Sequence, residues 1–160
     1  MDIRIAQPDS QSGDIETLFK IRTSVVENYQ SRAEIAELGI TPAAVAEMLK
    51  TDCCAWIAEL NSQPIGFSIA NATEKTIFGV FVLPAFENRG AGRALMYAAE
   101  HWLWTQGLTE IWLVTGNNPN LRAYGFYQYL NWIPVGVEAE GDFQGEMKFI
   151  KRRELESHKT

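Results

Sequence analysis

The 160 residues are 46% apolar and 11% aromatic, enough for one compact domain with one core, and the 21% charged residues argue against wholesale disorder. Net charge is −6, with ten acidic and five basic side chains in the first 60 residues against ten and nine in the rest. That balance disfavours nucleic-acid binding, which needs a basic face. An acidic N-terminal part suits a cationic small molecule or a lysine, although ordinary solvated helix faces account for it more readily. No apolar run approaches the roughly 18 residues of a membrane span. The opening Met1-Asp2-Ile3-Arg4-Ile5 lacks the order of a signal peptide, so a cytoplasmic protein is expected. Cys53 and Cys54 are adjacent and read as two buried thiols at a strand start, and His101 and His158 stand far apart. No metal site is expected, and a Ser-His-Asp hydrolase is poorly supported.

In chain order, Ile3 to Ala6 alternates and stops at Pro8, as a first strand does. Ser12-Gly13-Asp14 starts a helix whose period runs from Ile15 to Val26. A short helical piece spans Ser31 to Leu38 and closes at Gly39. Thr41 as N-cap with Pro42 behind it opens a helix to about Lys50. The period then changes to that of strands, Ala55 to Leu60 and Pro64 to Ala70, with a hairpin turn at Asn61-Ser62-Gln63. A third strand of this meander runs from Thr76 to Leu83, with Gly79 predicting a bulge or a close backbone approach. A Gly-rich turn, a long helix, a strand around Ile111 to Val114, and a helix from Pro119 to about Leu130 follow. Two strands, Trp132 to Val137 and Gly145 to Ile150, close the chain. The pattern predicts an α/β fold in which the two later helices cross over between strands. Residues 1–150 are expected to form a single domain, with 151–160 as a loosely held tail.

The segment Val80 to Leu95 ends a strand at Pro84, turns through two glycines and enters a helix. A helix N-terminus leaves about four N–H groups unpaired and carries partial positive charge. Gly90 and Gly92 remove the Cβ atoms that would hold a phosphate away, and Arg89 and Arg93 add cations. The chemistry implied is pyrophosphate binding. Two sharper motifs fail on the letters. A dinucleotide fingerprint needs Gly or Ala at position 95, which is Leu, and no Gly-Lys pair of a P-loop occurs.

A second segment, Asn117 to Trp132, opens a helix from an Asn-rich turn. Spacing of seven would put Asn120 and Tyr127 on one helix face, lining a groove, although Tyr127 as a core aromatic and Asn120 as a simple cap fit the spacing as well.

These two segments resemble the GNAT superfamily of N-acetyltransferases. Its pyrophosphate loop, Gln/Arg-x-x-Gly-x-Gly/Ala, is matched at both glycines by Glu87-Asn88-Arg89-Gly90-Ala91-Gly92, and its Asn-x-x-Ala-x-x-Phe/Leu-Tyr helix by Asn120, Ala123, Phe126 and Tyr127. The resemblance covers roughly residues 1–150. It implies a mixed, mostly antiparallel sheet of about seven strands with helices on both faces. It also implies acetyl-CoA as cosubstrate, lying between the strands at Phe81–Leu83 and Ile111–Thr115. Cofactor contacts would come from Phe81, Val82, Leu83, Arg89, Gly90, Ala91, Gly92, Arg93, Ala94, Asn120 and Tyr127. Backbone N–H groups near Val82 would polarise the thioester, and Tyr127 would protonate the leaving thiolate. The family's Gln or Arg is Glu87 here, which leaves the backbone, Arg89 and Arg93 to carry the anion.

The implied activity is acetyl transfer to an amine by direct attack. A CoA-binding regulatory module without turnover, and a protein-binding domain without cofactor, are the alternatives. The strand Thr76 to Leu83 has no carboxylate to take the amine's proton, which leaves Glu27, Glu74 or water. The acceptor amine and a homodimer stay open.

Overall fold

The computed structural model describes residues 1–27 and 29–154. Its strands are β1 (Asp2–Ile5), β2 (Cys53–Leu60), β3 (Gln63–Asn71), β4 (Thr76–Val82), β5 (Glu110–Thr115), β6 (Ile133–Val137) and β7 (Met147–Arg152). Its α-helices are α1 (Asp14–Arg22), α2 (Arg32–Glu37), α3 (Pro42–Lys50), α4 (Ala91–Thr105) and α5 (Arg122–Tyr129). All seven strands join one sheet in the order β1-β2-β3-β4-β5-β7-β6, in which only β4 and β5 pair in parallel. The mixed, mostly antiparallel sheet is therefore as expected.

Period-two alternation along β2 sends Trp56 and Ala58 to one face and Ala55 and Ile57 to the other. The first face packs under α4 and α5, with Leu95, Met96, Ala99, Leu103, Tyr124 and Trp132. The second packs under α1, α2 and α3 through Leu18, Phe19, Ile21, Ile35 and Val45. Both apolar faces are thus covered by helices.

Local chemistry explains the boundaries. Ser31 accepts from the Glu34 N–H, and Glu34 reaches back to the Ser31 N–H, closing a capping box at α2. Thr41 Oγ1 accepts from the Ala44 N–H at 3.2 Å, with Pro42 opening α3. Asn61 and Ser62 take φ of 50° and 66°, as a two-residue hairpin of type I′ requires. Gly66 sits where a Cβ would come 2.8 Å from the Phe81 carbonyl oxygen, so β3 and β4 approach closely there.

Local chemistry also explains three departures from the expected boundaries. The first helix stops at Arg22 instead of Val26. Thr23 Oγ1 and Ser24 Oγ donate to the Phe19 and Lys20 carbonyls (2.9 and 2.6 Å), and the β-branched pair Val25-Val26 follows. The last helix starts at Arg122 instead of Pro119, because Asn118 Oδ1 and its carbonyl accept from the Asn120 and Leu121 N–H groups in a tight turn. Finally, Lys151 and Arg152 belong to β7 rather than to a tail; Lys151 Nζ lies 2.6 Å from the buried Glu100 carboxylate and donates to the Leu130 carbonyl. Residues 155–160 of the expected tail lie outside the described residues.

Candidate functional site

Strands β4 and β5 pair at a single position, Thr76 with Trp112. Thr76 Oγ1 donates to the Trp112 carbonyl at 2.6 Å, and the Trp112 N–H and indole N–H donate to the Lys75 and Glu74 carbonyls. Beyond that clasp the strands part. β4 is also bulged there: Ala70 faces Ile77 while Ile69 faces Gly79, which leaves Phe78 without a partner. The bulge predicted from Gly79 is present.

The Leu83 N–H donates to the Ile65 carbonyl at 2.8 Å, and Phe81 faces Phe67 across the same ladder. By alternation, the main-chain groups of Val80 and Val82 face the side that β5 has left. A groove of about 690 Å³ fills the parting, walled by residues 78–82 of β4, Val114–Gly116, the start of α4 and the Phe126–Tyr127 face of α5.

At one end of the groove is the start of α4. Gly90 caps it with φ of 86°, a conformation glycine adopts freely, and the first intrahelical bond runs from the Ala94 N–H to the Gly90 carbonyl. The N–H groups of Ala91, Gly92 and Arg93 precede that bond and have no partner among the described residues, so they form the anion-binding end of the dipole. A Cβ on Gly92 would lie 3.3 Å from the Phe126 ring, so glycine keeps this wall open.

The structure brings together at the groove Phe81, Val82, Gly90, Ala91, Gly92, Arg93 and Tyr127. Four expected cofactor contacts stand elsewhere. The Leu83 and Ala94 N–H groups are spent on Ile65 and Gly90. Arg89 is exposed, its guanidinium over the Phe86 ring at 5.6 Å. Asn120 is exposed in the turn before α5, so it does not share a helix face with Tyr127. The departure at Glu87 has its own answer: Arg122 meets it at 3.5 Å and donates to Asn88 Oδ1 at 3.1 Å. Arg122 was not among the expected site residues.

Tyr127 is buried, its ring 5.9 Å from Phe149 and 6.4 Å from Trp132. Its hydroxyl makes no hydrogen bond among the described residues, and burial pushes its pKa up to about 12. Of the candidate bases, Glu74 lies in the exposed turn before β4. Glu27 instead caps α5, accepting from the Arg122 and Ala123 N–H groups at 3.2 and 3.3 Å. Cys53 and Cys54 are free thiols raised to about 11 by burial, and they take no part in the groove.

A second cavity, of about 560 Å³, lies between α1, α3, β4, β5 and the β6–β7 connection. Phe78, Phe81 and Val114 wall both cavities, so the two meet where the strands part. Glu146 lines the second cavity, and burial raises its carboxyl above the ordinary glutamate range. No spacing signal in the sequence marks Glu146, nor Glu27 as a cap for a helix some 95 residues away.

Residues 16–132 match the model of the acetyltransferase (GNAT) family. The chain belongs to that family. The GNAT fold also recurs in solved structures of low sequence identity. A PaiA N-acetyltransferase of Thermoplasma acidophilum in complex with coenzyme A has a TM-score of 0.70 at 17% identity, covering 96% of this chain and 100% of its own. The ribosomal-protein-S18-alanine N-acetyltransferase of Escherichia coli has a TM-score of 0.70 at 15% identity over 99% of each chain. An aminoglycoside 6'-acetyltransferase type Ii has a TM-score of 0.68 at 19% identity, covering 95% and 97%. A search of curated protein sequences gives no match. No helix among the described residues of this GNAT protein is long and apolar enough to cross a membrane.

Proposed function

We propose that this GNAT protein, as one domain, transfers an acetyl group from acetyl-CoA to a primary amine by direct attack. The observation that carries the reading is the meeting of two cavities at the β4–β5 parting. One ends at free helix N–H groups, and the other carries a carboxylate with a raised pKa.

The groove residues suit the cosubstrate. The N–H groups of Ala91, Gly92 and Arg93, with the Arg93 side chain, would take the pyrophosphate. The open Val80–Val82 edge would bond the amides of the pantetheine arm. Acetyl-CoA, when bound, supplies an acetyl group activated as a thioester. The Val82 N–H, on this open edge, would hold the carbonyl oxygen as negative charge develops. Tyr127 keeps its proton at neutral pH because of its pKa near 12, and Tyr127 Oη is the group that would deliver a proton to a departing sulfur. Glu146, from the second cavity, would accept a proton from the incoming ammonium and leave a neutral nucleophile.

Thermal unfolding with and without millimolar acetyl-CoA, with NAD and ATP as controls, tests the cosubstrate. A ligand at about 100 times its Kd adds about 2.7 kcal/mol, which is several degrees for a domain of this size. Thiol release on adding amines then tests transfer. No shift with acetyl-CoA would sink the reading. A shift without amine-dependent release would favour a CoA-binding module that has lost turnover.

A further inference from the structure

The second cavity holds a cation with no ion-pair partner among the described residues. Arg22 ends α1 and lines this cavity, its guanidinium carbon 4.6 Å above the Phe81 ring that both cavities share. Nη2 donates to the amide oxygen of Gln30 at 2.8 Å. Nη1 is buried without a hydrogen-bond partner, the only such side-chain atom among the described residues. No carboxylate among the described residues lies within ion-pair distance of Arg22, although every other arginine of the first 60 residues has one. A partly buried guanidinium with one nitrogen buried and unpaired is costly, and burial accordingly weakens its hold on its proton. An acceptor on a bound ligand would satisfy it.

The rest of the wall defines that ligand. Phe19, Ile35, Val45, Phe67, Ile77 and Trp112 make it apolar, and Asp142 and Glu146 bring negative charge from the β6–β7 connection. One isolated cation opposed by two carboxylates, around an apolar chamber, complements a zwitterion with an apolar body. Arg22 stacks on the shared Phe81, beside the point where the amine must meet the acetyl group. The anionic group of the acceptor must therefore sit near its amine.

We propose that the acceptor is a free amino acid with an apolar side chain, its carboxylate bound by Arg22 and its amine directed toward the Glu146 side of the junction. A planar guanidinium binds a carboxylate through two parallel N–H bonds, and a carboxylate displaces the neutral Gln30 amide readily. A peptide N-terminus, whose first carboxyl is an amide, lacks this group.

This inference rests on the acetyltransferase reading, and its test keeps the two apart. Leucine, methionine and phenylalanine are compared with their amides, and phenylalanine with phenethylamine, by thiol release. Stabilisation by N-acetylleucine and N-acetylphenylalanine against their amides is measured in parallel and needs no turnover. The free acids should be favoured by at least about 10-fold in kcat/KM and in apparent affinity, the usual effect of losing a hydrogen bond to a buried charge. The R22Q variant should lose that preference while keeping its acetyl-CoA shift; R22K, which preserves the charge without the fork, should keep part of it. Equal or better use of the amides overturns the proposal and points to a peptide N-terminus. Acids and amides alike failing to bind or react, in protein that acetyl-CoA stabilises, also overturns it. Absence of the acetyl-CoA shift overturns the reading beneath it instead.

Discussion

Replacing Tyr127 with Phe separates chemistry from architecture, because the structure assigns the ring and the hydroxyl to different tasks. The ring packs on Phe126, Trp132 and Phe149 at centroid distances of 5.6, 6.4 and 5.9 Å, and all three contacts survive the substitution. The hydroxyl has no hydrogen-bond partner among the described residues, so its removal breaks nothing in the resting protein. Tyr127 lines the groove and its hydroxyl has no protein partner to lose, so phenylalanine at this site is expected to leave stability within about 1 kcal/mol of wild type. Melting temperature should therefore hold within a few degrees. Turnover should fall roughly 10- to 1000-fold, equivalent to about 1.4–4 kcal/mol of barrier, with a much smaller change in acetyl-CoA affinity. Thermal unfolding and steady-state thiol release on one preparation decide it. Unchanged turnover would remove Tyr127 from the proton path. A fall in turnover matched by a large loss of stability would show that the hydroxyl has a structural partner.

Other perturbations follow from the same geometry. Gly66→Ala forces a Cβ to within 2.8 Å of the Phe81 carbonyl oxygen, so it should destabilise by about 1–3 kcal/mol in denaturant titration. Glu146 acts as a base only when ionised, and its pKa is raised, so kcat/KM should rise with pH through a range above that of an ordinary glutamate. E146Q should lower the rate and abolish that limb of the profile. Asp14 is buried and accepts from Arg4 at 2.8 and 2.9 Å and from the Gln7 N–H at 2.8 Å, which holds its carboxyl below the usual range. A depressed folded pKa gives stability that is complete above the unfolded value of about 3.9 and is lost as pH falls below it. D14N should therefore cost stability at pH 7 in urea titration, and the difference from wild type should shrink below about pH 4.

Much of this was legible in the sequence wherever one local rule decided the outcome. Thr41-Pro42, Asn61-Ser62 and the Gly90-x-Gly92 turn each contain the residues their backbone geometry demands, so the elements fall close to where the letters put them. Gly79 marked the bulge for the same reason. The failures are equally local in form but decided by competition. A period of apolar residues runs on to Val26, yet Thr23 and Ser24 turn their hydroxyls onto helix carbonyls and end α1 at Arg22. Asn120 has the right spacing from Tyr127 for one helix face, but Asn118 folds the chain into a turn first, and the α5 cap comes from Glu27. The site residues without any signal are those whose partners are distant in sequence. Arg122 beside Glu87, Glu146 facing β4 and Arg22 against Phe81 become neighbours only after the sheet forms, and no spacing rule reaches across it.

The parting of β4 and β5 gives this sheet a third edge, inside the molecule. An exposed strand edge ordinarily invites another chain to pair with it, and proteins defend such edges with charges, prolines or short strands. The stretch Phe78–Val82 has none of these; it is apolar, β-branched and unpaired on one side, the composition of a sticky strand. Its protection is spatial. The Thr76–Trp112 clasp closes one end of the wedge, and α4, α5 and residues 25–27 wall the rest of it, which hinders an extended foreign strand from lying alongside. The fold thus keeps main-chain groups available to a narrow, flexible ligand while denying them to another polypeptide, and loosening the clasp would expose the segment of the sheet best suited to aggregate.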